Sequence, residues 1–223
     1  MLSRLLPAEV AVAEVFDDPE DAVLFPGEEA AIARAVPTRR REYITTRHCA
    51  RIALSRLGMA PAAIGSGRNG EPLWPADVVG SMTHCAGYRA AAVARSGTVA
   101  GAGMVTGTGT VTGIGIDAEP HAPLPDGVLD TIARADELPA LRELAARHPR
   151  THWDRLLFSA KESVYKTWFP VAERRLGFDE ATLEFVPEER VFTARIHQDG
   201  APVRRMSGRW LVESGLIVTA ITL

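Results

Sequence analysis

Two acids and two lysines carry the chemical signal of this sequence. Gly113-Ile114-Gly115-Ile116-Asp117-Ala118-Glu119 is a short, mostly apolar run that ends in carboxylates spaced i, i+2 and is stopped by Pro120. It predicts a β-strand, and because side chains alternate faces along a strand, Asp117 and Glu119 share one side. Like charges on one face repel, and a hard cation such as Mg²⁺ is the common remedy; two solvated acids at an exposed strand end are the plainer alternative. Lys161 and Lys166 are the only lysines, every other strong base being arginine. Such a bias reports base composition in general, yet two lysines five residues apart suit a place that wants a compact ammonium. Glu162 and Lys166 are i, i+4, so on a helix they face the same way.

A second group could hold an anion. Arg40, Arg47 and Arg51 recur at helical spacing, with Arg39 and Arg41 at the N-terminal end. A basic helix start can bind phosphate, and a solvated charged face is the alternative. Ser81, Thr83 and His84 are expected together in a polar turn beside the glycine-rich loop 63–70, hydroxyls and imidazole that suit an anionic ligand. The pairs His48-Cys49 and His84-Cys85 lack the usual short zinc spacing.

These residues need elements to position them. Alternation at Val10, Val12 and Val15 predicts an edge strand between Met1 and Phe25, and Glu28 to Ala35 predicts a short helix. Pro37-Thr38 supplies a break and an N-cap for a helix from Arg39 to Leu57, closed by Gly58. Strands are expected over Val78 to His84 and Tyr88 to Ala94. The Gly/Thr tract from Arg95 to Gly113 contains Gly101-Ala102-Gly103 and Gly107-Thr108-Gly109, which both miss the third glycine of a dinucleotide loop, so it reads as a hairpin extension. Helices follow over Gly127 to Ala133, Asp136 to His148 and Thr151 to Trp168, the last with Trp153, Leu156, Leu157, Ala160 and Val164 at core spacing. Strands around Leu183–Phe185, Val191–Ile196, Gly208–Val212 and Leu216–Leu223 complete an α+β pattern of helix then strands, twice over. The halves, 1–114 and 115–223, would meet at the Asp117 strand and form a cleft there.

Composition excludes several classes. At 223 residues, 46% hydrophobic and 24% charged, the chain can bury a real core. A net charge of −3 and a pI near 6.1 give no global pull toward nucleic acid or membrane. No apolar stretch reaches the roughly 18 residues of a membrane span, and the N-terminal residues lack a signal-peptide core, so a cytoplasmic protein is expected.

Three stretches resemble motifs of the 4'-phosphopantetheinyl transferases, the large Sfp-type class and its enterobactin-synthetase-component-D-like branch, including its mycobacterial members. They are Gly70-Glu71-Pro72-Leu73-Trp74-Pro75 with Gly80 to Tyr88, then Gly115-Ile116-Asp117-Ala118-Glu119, then Phe158-Ser159-Ala160-Lys161-Glu162-Ser163-Val164-Tyr165-Lys166. The resemblance implies a pseudo-dimer of two helix-plus-antiparallel-sheet halves with the active site at their junction. It implies transfer of the phosphopantetheine arm of coenzyme A to a serine of apo acyl or peptidyl carrier proteins, releasing adenosine 3',5'-bisphosphate. It further implies Mg²⁺, or Mn²⁺, on Asp117, Glu119 and Glu162, with Glu162 as base toward the serine. Lys161 and Lys166 would bind the pyrophosphate, one of them stabilising the leaving phosphate. Ser81, Thr83, His84, Arg47 and either Arg39 or Arg40 would hold the 3'-phosphate. Two departures stand out: Ser66, with Arg68 nearby, replaces a loop lysine of close relatives, leaving the adenine contact open, and the Ser96 to Thr112 tract is long.

Other classes remain in view. Ser163-Val164-Tyr165-Lys166 fits the S-x-x-K of penicillin-recognising enzymes, but no S-D-N or K-T-G accompanies it. A metal-dependent phosphohydrolase could use the same acids and lysines, and a non-catalytic coenzyme A module would explain the arginines alone. Since both halves supply the cleft, a monomer is expected; which carriers are served is not legible.

Overall fold

A helix laid across three antiparallel strands forms the first half of the computed structural model, which describes residues 1–97 and 111–223. Strand β1 (Ala11–Val15) is followed by a 3₁₀ turn at Glu29–Ile32, where a short helix was expected, and by helix α1 (Pro37–Arg56). Thr38 does not cap α1; Val36 is the N-cap and Pro37 fills the first helical turn, where a missing N–H costs nothing. Gly58 ends the helix as anticipated, with φ +72° and hydrogen bonds from Gly58 and Met59 N–H to Ser55 and Leu54. A small ladder of β2 (Gly65–Ser66) and β3 (Pro72–Leu73) precedes the hairpin of β4 (Val78–Cys85) and β5 (Tyr88–Arg95). The order is β1-β5-β4, so β1 is the edge strand that the alternation predicts.

The second half repeats this plan. Strand β6 (Ile114–Pro120), helices α2 (Val128–Ile132) and α3 (Leu138–Arg147), and the long helix α4 (Trp153–Ala172) lead to β7 (Ala181–Val186), β8 (Val191–Ile196), β9 (Arg205–Glu213) and β10 (Leu216–Thr222). Their antiparallel order is β6-β10-β9-β8-β7. In both halves the first strand pairs with the last, the last pairs with the one before it, and a 20-residue helix follows the first strand to cover them. The β7–β8 hairpin is an addition to the second half. Helix α4 runs past Trp168, its expected end, to Ala172, because Pro170 lies in the last turn, where it removes one hydrogen bond; Glu173 then takes φ +53°. The Gly/Thr tract read as a hairpin extension falls mostly on residues 98–110, outside the described residues.

Among the described residues three apolar clusters hold the structure together. Cys49, Ala53, Leu54 and Val93 lie beneath α1, and Leu156, Leu157, Val164, Trp168 and Phe192 beneath α4. The third joins the halves through Tyr88, Ala90, Ala92, Ile116, Ala118 and Val218. Each fully buried leucine or valine contributes about 1.5–3 kcal/mol. Polar bonds fix the junction more specifically: Ser81 Oγ accepts from Ile116 N–H at 3.1 Å and Thr83 Oγ1 from Ala118 N–H at 3.0 Å, tying β4 to β6. Gly115 sets the distance of α4 from β6, since a Cβ there would meet Ser163 O at 2.0 Å and Thr167 Oγ1 at 2.1 Å. That close approach lays Glu162 and Lys166 beside Asp117.

Candidate active site

Asp117 is the centre of the arrangement. It is buried on β6, and its Oδ1 accepts from Lys166 Nζ at 2.7 Å and Thr83 Oγ1 at 3.2 Å. Its Oδ2 is also buried and has no hydrogen-bond partner among the described residues. An unpaired carboxylate oxygen in a low-dielectric place is costly and marks an interaction not yet made. Lys166 Nζ also donates to Ile116 O at 3.2 Å, so its ammonium is fixed against the strand.

Glu119 sits two residues on, as alternation requires, and its Oε2 accepts from Arg155 Nη1 at 2.9 Å. Burial and the neighbouring Asp117 charge push its carboxyl pKa up against the opposing pull of Arg155. Glu162, half-buried on α4, is likewise pushed up by burial and by Asp117, while Lys166 pulls it down. Three acids thus share one electrostatic neighbourhood. Among the described residues no three His, Cys, Asp or Glu side chains form a ready-made ligand group. The donor set nevertheless fits a hard cation: carboxylate oxygens only, one of them buried and unpaired.

Lys161 needs a correction. Its ammonium does not reach the acid cluster but is buried among Glu137 Oε2 at 2.8 Å and the carbonyls of Ile132, Phe178 and Ala181 at 2.7–3.1 Å. Burial pulls its pKa down and Glu137 opposes that. Glu137 also accepts from Leu183 N–H at 2.7 Å and Arg134 N–H at 2.8 Å, so the pair fastens α4 to the segments on either side of it. With all its donors occupied, Lys161 is a structural clasp rather than a pyrophosphate ligand.

The anion-binding residues are also redistributed. Ser81 and Thr83 lie within β4, not in a turn, and both hydroxyls are used on β6; they hold the Asp117 strand instead of facing a phosphate. His84, an odd number of residues away, points to the opposite face, toward α1. There its Nε2 meets Arg39 Nη1 and its Nδ1 lies 3.4 Å from Glu42. Arginine can only donate, so Nε2 accepts and the single proton is assigned to Nδ1. Burial and then Arg39 push the His84 pKa down to about 4, leaving it neutral at pH 7. Arg47 is buried beneath the glycine-rich loop, donating to Ile64 O at 3.0 Å and Ser66 Oγ at 2.9 Å, with its guanidinium 3.2 Å from the Tyr43 ring centroid. Burial pushes its pKa down to about 10. Arg40 turns back to Ile32 O at 2.8 Å, and Arg68 is exposed on the loop. Arg39, rather than Arg40, therefore stands with His84.

A cavity of about 210 Å³ lies beside Glu162, lined also by Lys161, Tyr165, Arg175, Leu176 and Phe178; Asp117 and Glu119 are not part of its wall. Cys49 and Cys85 are both buried, and neither is in a disulfide. Arg155 was missed in the sequence, although Arg155, Glu162 and Lys166 fall on one helical face at i, i+7 and i+11.

Comparisons with known proteins show the family of the chain. The 4'-phosphopantetheinyl transferase N-terminal domain model matches residues 27–94, and the 4'-phosphopantetheinyl transferase superfamily model matches residues 113–212. The chain belongs to the 4'-phosphopantetheinyl transferase superfamily. Among individual proteins it is 49% identical to the 4'-phosphopantetheinyl transferase Svp of Streptomyces mobaraensis, over 99% of this chain and 88% of that protein. It is 46% identical to PptT of Mycobacterium tuberculosis, over 100% and 98%, and 45% identical to Npt of Nocardia iowensis, over 99% of each. Similarity to the enterobactin synthase component D of a Salmonella is lower, 27% over 82% of this chain.

Proposed function

We propose that the protein transfers the 4'-phosphopantetheine group of coenzyme A to a serine of apo acyl or peptidyl carrier proteins, with Mg²⁺, releasing adenosine 3',5'-bisphosphate. The observation that carries the reading is the buried, unpaired Asp117 Oδ2 beside Lys166 and two further acids. Asp117, Glu119 and Glu162 would hold Mg²⁺ or Mn²⁺, which when bound supplies charge neutralisation at the pyrophosphate.

The remaining chemistry falls to the chain itself. Glu162, with its pKa held above the ordinary glutamate value, is the base for the carrier serine hydroxyl. The serine oxygen bonds to the phosphorus that carries pantetheine, the bridging P–O bond breaks, and the electron pair leaves on the adenosine-bearing phosphate. Lys166, already 2.7 Å from Asp117, stabilises that leaving charge. Arg39 and His84 receive the 3'-phosphate at the opposite side of the cleft, with Arg47 holding the 64–66 loop under the adenosine. A phosphate near His84 favours its protonated form, so binding would recharge an imidazole that is neutral without ligand. The cavity beside Glu162 has polar and apolar walls suited to a pantetheine chain.

No described helix is long and apolar enough to cross a membrane. One chain supplies both sides of the cleft, which supports action as a monomer. The test is the intact mass of an apo carrier protein after incubation with this protein, coenzyme A and Mg²⁺, with a chelator control. A metal-dependent gain of one phosphopantetheine is expected. Coenzyme A consumed without that gain would point to a hydrolase, and no consumption to a binding module.

A further inference from the structure

We propose that Arg155 is a positioning residue for the divalent-cation site, holding one oxygen of Glu119 so that the other is presented beside Asp117. The inference rests on the metal-dependent reading above and concerns a side chain to which that reading assigns no role.

The geometry is specific. Arg155 stands in the first turn of α4 and is mostly buried. Its guanidinium makes three directed contacts: Nη1 to Glu119 Oε2 at 2.9 Å, Nε to Ala122 O at 3.2 Å and Nη2 to Pro123 O at 2.8 Å. The two carbonyls belong to the segment that leaves β6, so the guanidinium is locked before it meets the acid. A planar fork fixed at three points can set the rotamer of a carboxylate in a way that a freely swinging ammonium cannot.

The consequence emerges when Glu119 is set beside Asp117. Lys166 and Thr83 hold Asp117 at Oδ1 and leave Oδ2 unpaired. Arg155 holds Glu119 at Oε2, and Oε1 makes no hydrogen bond with the described residues. Each acid is thus pinned by a cation through one oxygen, and each retains the other. Both residues lie on the same side of β6, which lets the two free oxygens serve one site. Partners that orient metal-binding carboxylates typically change metal affinity by 10- to 100-fold when removed.

A neighbouring contact provides the control. Asp154 Oδ2 accepts from Leu124 N–H at 2.7 Å, which fastens the same segment to α4 without touching Glu119. If Arg155 acted only by fastening the segment, removing Asp154 would reproduce its loss.

The experiment is titration of the carrier-free protein with Mn²⁺, read by the free-ion electron paramagnetic resonance signal, with thermal melts to follow folding. Arg155→Met is expected to weaken Mn²⁺ binding by about 10- to 100-fold. Arg155→Lys, which keeps a cation within reach of Glu119 but not the fork, should also weaken Mn²⁺ binding, by less than Arg155→Met. Asp154→Ala should bind Mn²⁺ as the unaltered protein does. Equal or tighter binding by Arg155→Met overturns the proposal, as does an equal loss in Asp154→Ala. Should Arg155→Met fail to fold, unchanged Mn²⁺ affinity in folded Arg155→Lys is also an overturning result. Failure of the underlying reading looks different: the unaltered protein would bind no Mn²⁺, or Asp117→Ala would bind it equally well.

Discussion

Glu14 on β1 and Asp117 on β6 are acids on the leading strands of the two halves, and they differ in how completely they are used. Glu14 receives the Met1 amine, Leu2 N–H and the Tyr88 hydroxyl, so both oxygens are engaged. Asp117 receives Lys166 and Thr83 on one oxygen and nothing on the other. The long helices are alike in one buried ion pair each. Arg51 of α1 is buried against Glu28, as Lys161 of α4 is against Glu137, and both glutamates also accept backbone N–H groups. A saturated carboxylate or ammonium is part of the scaffold, whereas Asp117 keeps capacity beside two further acids and a lysine. On the proposed reading the chemistry lies on β6 and one face of α4, and the first half contributes the Arg39–His84 pair.

That contrast can be broken at several points. Asp117→Ala should lower the transfer rate by about 10²–10³-fold or more while the melting temperature holds, because only the site loses its central oxygen. Lys161→Met and Glu28→Gln, which each leave a buried charge unpaired, should cost about 3–5 kcal/mol in denaturant unfolding. A Lys161 variant that stayed stable and lost coenzyme A affinity would return that lysine to the site. Thr83→Val removes a hydroxyl that serves both Asp117 and Ala118 N–H, and should cost about 1–3 kcal/mol. Arg39→Ala should weaken coenzyme A binding by roughly ten- to a hundredfold, measured calorimetrically, with little change in kcat.

The smallest effect depends on pH. Burial and Asp117 hold the Glu162 pKa above the ordinary glutamate value, so its protonated form favours the fold. That contribution is full below the ordinary value and is lost as pH rises through the folded one. Metal-free Glu162→Gln should therefore melt above the metal-free parent at pH 8, with the gap closing as pH falls to 4. A gap that widened on acidification would place Glu162 in a different environment.

Much of this was legible in the residues. The alternation at Asp117 and Glu119 placed both acids on one strand face, and the apolar period of α4 placed Glu162 with Lys166. The strand run through Ser81 to His84 was also visible, but the expectation of a polar turn there concealed its parity. Two hydroxyls and an imidazole separated by odd and even steps cannot all face one ligand on a strand. Lys161 illustrates the same point on a helix: five residues correspond to about 140° of rotation, so its ammonium and that of Lys166 diverge. Its true partner, Glu137, lies 24 residues away and is brought close only by the tertiary fold. Arg40 and Arg47 share α1 with Arg39, yet the direction of each is set by Ile32 and by the 64–66 loop, contacts that no helical period encodes.

The most direct measurement is the initial rate of phosphopantetheine transfer, by intact mass of an apo carrier, for Asp117→Asn and Glu14→Gln proteins that are both folded at the assay temperature. The account predicts that Asp117→Asn loses nearly all transfer at near-normal stability, and that Glu14→Gln transfers normally while melting lower. Normal transfer by Asp117→Asn, or its loss in folded Glu14→Gln, would contradict it.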